Sequence, residues 1–94
     1  MLVGTVQKQP NDRFDIDVTF AKWLANREND TIDTIGSTIE PAGLTNLGAS
    51  HNGQRAKQWI AGGVSGATYK ITLLANTIGG RAIEAEVRVR VRER

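Results

Sequence analysis

The stretch Phe14-Asp15-Ile16-Asp17-Val18-Thr19-Phe20 alternates apolar and polar residues without a break. An extended backbone sends successive side chains to opposite faces, so period two places four apolar residues on one face and two aspartates and a threonine on the other. That pattern predicts a half-buried strand. It returns in Tyr69-Lys70-Ile71-Thr72-Leu73-Leu74-Ala75 and again in Ile83-Glu84-Ala85-Glu86-Val87-Arg88-Val89-Arg90-Val91. Between these two lies Thr77-Ile78-Gly79-Gly80, a short connection whose glycines accept positive φ, so the last two strands are expected to pair antiparallel. Residues 3–7, 33–39 and 55–61 are further strand candidates. The segment from Pro41 to Gln54, rich in Gly, Asn, Ser, Thr and Ala, reads as a mobile loop or a short edge strand. The exception to period two is Phe20, Trp23, Leu24 and Arg27, spaced i, i+3, i+4, i+7, which predicts a short helical turn over residues 20–27 capping one open end.

Many short strands and one helical turn predict an all-β fold, an immunoglobulin-like β-sandwich of about seven short antiparallel strands. With 94 residues there is material for one core, so residues 1–94 are expected to form a single domain. A domain of that size removes only about 64% of its unfolded-chain surface from water, and a partner that adds contacts is plausible from size alone. Gly66-Ala67-Thr68-Tyr69 leads into the penultimate strand, where a tyrosine is either a plain core residue or the tyrosine corner of such sandwiches.

The absence of cysteine and the presence of one histidine, His51, remove disulfide frameworks, thiolate metal sites and histidine clusters from consideration. No apolar run approaches the length of a membrane span, and the N-terminal residues lack the basic lead and long apolar core of a secretory signal. Asp15 and Asp17 project from one strand face. A hard cation needs about six oxygen ligands, and Asp12 adds only one more carboxylate, so the favoured reading is a solvated or ion-paired face. His51, between Ser50 and Asn52, reads as an exposed loop histidine, since nothing around it resembles a nucleophile turn. Gly62-Gly63-Val64-Ser65-Gly66 lacks the lysine and following helix of a phosphate loop and reads as a hairpin turn. Trp23 and Trp59 are expected in the core, with partner anchors as the alternative.

Charge is unevenly placed. Residues 1–54 carry seven carboxylates against four cations, and residues 55–94 eight cations against three carboxylates. Arg88, Arg90, Arg92 and Arg94 share one strand face beside Glu84 and Glu86. This ladder admits three readings: a charged guard on an edge strand, a dock for an acidic surface, including that of a neighbouring copy, or a phosphate site. The last is the weakest, because exposed aromatics for stacking or a helix for the groove are not evident. The candidate partner-binding residues are therefore Arg88, Arg90, Arg92, Arg94, His51, Asp15 and Asp17.

Taken in order, Phe14-Asp15-Ile16-Asp17 followed by Trp23-Leu24, the Asp30-Thr31-Ile32 step, Gly62-Gly63 before Gly66-Ala67-Thr68-Tyr69, and the ending from Gly80-Arg81 to Val91 resemble the small fibre-to-tail adaptors of tailed phages. The resemblance runs from about residue 5 to the end. It departs at Thr38-Ile39, where a tryptophan-bearing strand belongs, and around His51. The resemblance implies an immunoglobulin-like virion protein with no enzymatic activity and no cofactor. It would be made in the host cytoplasm and sit where the tail or connector meets the fibres. The implied partners are tail or connector proteins, the fibre protein and neighbouring copies in a ring, without a membrane. A free module binding nucleic acid or another acidic ligand through the arginine strand is the competing reading.

Overall fold

The structure is a computed structural model that describes residues 2–24 and 30–93. In chain order the strands are β1 Leu2–Lys8, β2 Arg13–Thr19, β3 Ile32–Glu40, β4 Leu44–Asn52, β5 Arg55–Gly62, β6 Thr68–Thr77 and β7 Ala82–Val91. They form a four-stranded sheet in the order β1-β7-β6-β3 and a three-stranded sheet in the order β2-β5-β4. The expected all-β sandwich is present. Strands β2, β5, β4 and β3, β6, β7 pair as the second, fifth, fourth and third, sixth, seventh strands of a constant-type immunoglobulin sandwich do.

The core follows from the alternation. Tyr69, Ile71, Leu73 and Ala75 of β6, and Ala85, Val87, Val89 and Val91 of β7, are buried at every second position. They meet Ile16 and Val18 of β2, Ala56 and Ile60 of β5, and Leu44 of β4 in one cluster. Each larger apolar side chain so buried contributes about 1.5–3 kcal/mol. At one end Phe20 and Leu24 are fully enclosed, with the Trp23 ring 5.7 Å from that of Phe20. Residues 21–24 form a hydrogen-bonded turn in which Leu24 N–H donates to Phe20 O at 3.1 Å. The remainder of the expected helical turn, residues 25–27, lies outside the described residues.

Tyr69 is the tyrosine of the corner between β5 and β6. Its buried hydroxyl accepts a hydrogen bond from the Val64 N–H, five residues upstream, at 3.0 Å, the geometry that defines a tyrosine corner. Gly43, at φ +130°, lies against that hydroxyl, and a Cβ there would stand 2.7 Å from Tyr69 Oη. At the same end the buried Lys8 ammonium donates to the carbonyls of Gln9 at 2.8 Å, Pro10 at 3.3 Å and Gly62. Burial lowers its pKa, and the nearby Asp12 carboxylate partly offsets this.

The opposite end is tied by Asp30. Its carboxylate accepts from Thr77 Oγ1 at 2.8 Å, Gly79 N–H at 2.8 Å and the Arg81 guanidinium at 2.7 Å. Burial alone would raise the Asp30 pKa. The Gly79 amide, the Thr77 hydroxyl and Arg81 overcome this and hold the carboxyl below its ordinary value.

Of the two readings of segment 41–54 the edge strand is the one present, and it is longer than expected: Leu44–Asn52 is nine residues paired with β5, because hydrogen bonds to a well-buried neighbour hold residues of low strand propensity extended. Two expectations need correction. Gly62–Gly66 is not a hairpin turn, because β5 and β6 belong to different sheets and the chain crosses between them. Nor are all strands antiparallel. β1 pairs β7 in parallel, from Leu2 opposite Glu86 to Lys8 opposite Val91; no tight turn joins the first strand to the last, so nothing imposes the antiparallel direction.

Candidate functional site

The outer face of the four-stranded sheet carries the arginine ladder. Alternation turns Val87, Val89 and Val91 inward, which obliges Arg88 and Arg90 to face solvent. The Arg92 N–H donates to Lys8 O at 2.8 Å, which holds the chain beside β1 for one residue beyond β7. All three arginines are exposed. Register places Thr5 on one side of Arg88 and Lys70 on the other, with Gln7 and Thr68 flanking Arg90. Arg88 and Lys70 are thus like charges directly opposite each other on adjacent strands, an arrangement that costs stability. Among the described residues, no carboxylate forms an ion pair with Arg88, Arg90, Arg92 or Lys70. Glu84 and Glu86 continue the row on β7 itself, so the strand's outer face is acidic at its start and basic at its end. Arg94 lies outside the described residues.

The other candidates stand on the opposite sheet. Asp15 and Asp17 project from the outer face of β2 and are bridged by Lys57 of β5, at 3.3 and 3.9 Å. The aspartates form an ion-paired strand face, and with all three side chains substantially solvated the pairing is worth at most about 1 kcal/mol. His51 is exposed, near the end of β4 opposite Ala56, rather than in a loop. The structure therefore does not bring the six described candidates together: Arg88, Arg90 and Arg92 belong to the four-stranded sheet's side, and Asp15, Asp17 and His51 to the other sheet.

Two features were missed. Trp59 is 40% exposed on the outer face of the three-stranded sheet, opposite Asp15 and Gly48, so the core expectation fails for it, while Trp23 packs against the core as expected. The signal was in the strand's own phase: Trp59 falls in step with Arg55 and Lys57, whereas Ala56, Gln58 and Ile60 point inward. Leu47, the extra residue where the β4 register shifts between Asn46 and Gly48, adds a second exposed apolar side chain at that position. The other missed feature is a groove of about 480 Å³ between the sheets on the side where β1 and β2 face each other, lined chiefly by Val3, Val6, Ile16, Val18, Trp23 and Val87.

What these surfaces offer is area, unpaired charge and apolar side chains, the ingredients of protein recognition. A comparison with known families finds a match over residues 8–90 to the Gp77 family, described as "Podophage GP4 fiber-tail adaptor protein gp77". No curated protein matches the chain.

Proposed function

The chain belongs to the podophage fibre-tail adaptor family, and from that premise we propose that it is a non-enzymatic structural protein of the virion. In this reading residues 1–94 act as one immunoglobulin-like domain that joins the tail or connector to the fibres through protein–protein contacts. It is present in several copies that touch one another, needs no cofactor and is made in the host cytoplasm. The family match over residues 8–90 carries the proposal. The exposed stripe of Arg88, Arg90 and Arg92, reinforced by Lys70, supplies the principal contact, because among the described residues no carboxylate pairs with its like charges, which an acidic partner surface would relieve. Asp15, Asp17 and His51 serve a second contact on the opposite sheet.

The test is quantitative mass spectrometry of purified particles, comparing this protein's copy number with the portal's. A fixed stoichiometric ratio is expected, and absence from intact particles would sink the adaptor role in favour of a free module for acidic ligands. At residue level, replacing Arg88, Arg90 and Arg92 by serine should impair assembly onto the tail. Unchanged assembly with a folded domain would remove the stripe from the contact.

A further inference from the structure

We propose that the free edge of β1, together with the groove beside it, receives an extended segment of a partner protein in which small apolar residues alternate with acidic ones. This deepens the adaptor reading and rests on it. The first observation is the direction of the backbone. Lys8 O accepts from Arg92 N–H on the β7 side, so by the two-residue period Lys8, Val6 and Gly4 turn their peptide groups toward β7, and Thr5 and Gln7 turn theirs away from it. The regular ladder runs from Gly4 to Lys8, because the register shifts between Leu2 and Gly4. It ends where Gln9 N–H donates to the Asp12 carboxylate at 3.0 Å. Thr5 and Gln7 therefore present donors and acceptors along β1's outer side that have no partner among the described residues.

The second observation is that between its register shift at Leu2–Gly4 and the inward-pointing Lys8 this edge carries no guard. Natural edge strands are blunted by charge, proline or strong twist. Of the other three sheet edges, β2 carries Arg13, Asp15 and Asp17 and β3 carries Asp33 and Glu40, while β4 has no carboxylate, lysine, arginine or proline but is tied to the facing edge by the Asn46–Ser37 hydrogen bond. Val3-Gly4-Thr5-Val6-Gln7 has neither a charge nor a proline, and it borders the largely apolar groove lined by Val6, Ile16, Val18, Trp23 and Val87, with Asp17 and Lys22 also in the lining.

The third observation is charge complementarity, which settles the chemistry of the occupant. A strand added to β1 would lie about 4.8 Å beyond it, with alternate side chains over the groove and the rest on the outer face. There its neighbours are Thr5 and Gln7, and next in the same rows stand Arg88 and Arg90. Those arginines lie two strand spacings, about 9.6 Å, from the added strand, a gap that an arginine and a glutamate side chain bridge between them. Small apolar residues suit the inner positions and acidic residues the outer ones. This is strand addition, in which main-chain bonds supply affinity and alternate side chains supply specificity.

The test uses the full chain and two short synthetic peptides, one alternating valine and glutamate, the other valine and lysine. Amide exchange and chemical-shift titration should show the glutamate peptide protecting the Thr5 and Gln7 amides, and binding at least about tenfold more tightly than the lysine peptide. The double substitution Arg88→Glu with Arg90→Glu should reverse that preference. Thr5→Pro removes an outward N–H without touching the β1–β7 ladder, so it should weaken binding while the near-ultraviolet circular dichroism stays native. No binding at millimolar peptide, binding that leaves Thr5 and Gln7 unprotected, or equal binding of both peptides would overturn the proposal. So would protection of those amides by self-association of the peptide-free protein, which would make a second copy the occupant. Copy number in particles decides the adaptor reading separately, so a particle-borne protein whose β1 ignores both peptides loses only this inference.

Discussion

The two long sides of the sandwich are built alike and end up different. On each, two consecutive strands lie at facing edges of opposite sheets, β3 and β4 on one side, β1 and β2 on the other. The β3–β4 side is closed by polar chemistry. Asn46 Nδ2 donates to Ser37 Oγ at 2.9 Å, Asn46 Oδ1 accepts from Gln58 Nε2 at 2.8 Å, and the turn before β4 is pinned where Gly43 meets Tyr69. Among the described residues the β1–β2 side is tied at its end, by Lys8 and by the Asp12 carboxylate, and beside it a groove lined mainly by valines, Ile16 and Trp23, with Asp17 and Lys22, stays open. A sandwich side lined by hydrogen-bonding side chains can seal itself. One lined largely by apolar side chains leaves surface for something else to cover.

That contrast can be broken most severely on the closed side. Gly43→Ala places a Cβ 2.7 Å from Tyr69 Oη at φ +130°. It should cost about 3 kcal/mol through strain and overpacking, read as a shift in the urea midpoint, and a loss under about 1 kcal/mol would mean that the turn adjusts freely. Next comes the tether of the open side: Lys8→Met removes the only side-chain donor to the carbonyls of Gln9, Pro10 and Gly62 among the described residues. A cost of about 2 kcal/mol is expected from urea denaturation, and stability equal to wild type would show that water serves those carbonyls as well.

Acidification probes the end that both sides share. Because the folded-state pKa of Asp30 is depressed, its contribution is fully present above the unfolded aspartate pKa of about 3.9 and is lost as pH falls through the lower folded value. Thermal midpoints followed into acid should fall less steeply in Asp30→Asn than in wild type, and parallel curves would contradict the assignment. On the closed side again, Asn46→Ala should cost about 1 kcal/mol by removing its bonds to Ser37 and Gln58, with thermal unfolding as the readout. The smallest effect belongs to the open side. Gly4→Ala meets nothing within 4 Å and should change stability by no more than about 0.5 kcal/mol, in the stabilising direction. A marked loss in the same assay would show that β1 is packed against something the groove does not reveal.

The legible part of this molecule was the part whose side chains alternate because one face is buried. Ile16, Val18, Tyr69, Ile71, Val87 and Val89 announce their strands, since period two is what burial on one side requires. β4 was missed as a firm element for the converse reason. Thr45, Asn46, Gly48 and Ser50 are exposed, so no apolar row marks them, and only their bonds to β5 make them a strand. The parallel pairing of β1 depends on the spatial meeting of residues some eighty positions apart, which local pattern does not encode. The arginine stripe was readable because Val87, Val89 and Val91 fix its direction, whereas the groove needs two strands from different sheets before it exists. Trp59 was misread by residue type although its phase with Arg55 and Lys57 was correct.

The parallel pairing of β1 with β7 has a mechanical consequence. Leu2 lies beside Glu86 and Lys8 beside Val91, so the beginning of β1 and the end of β7 point to opposite poles of the sheet, about five or six residue rises apart, or roughly 17–20 Å. Tension applied between residues 2 and 92 runs along the strands rather than across them. It loads the bonds of the β1–β7 ladder together, in shear, instead of opening them one after another as a pull at a hairpin's ends would. A body strung between a fibre and a tail by its two chain ends would thus hold by the combined strength of that ladder.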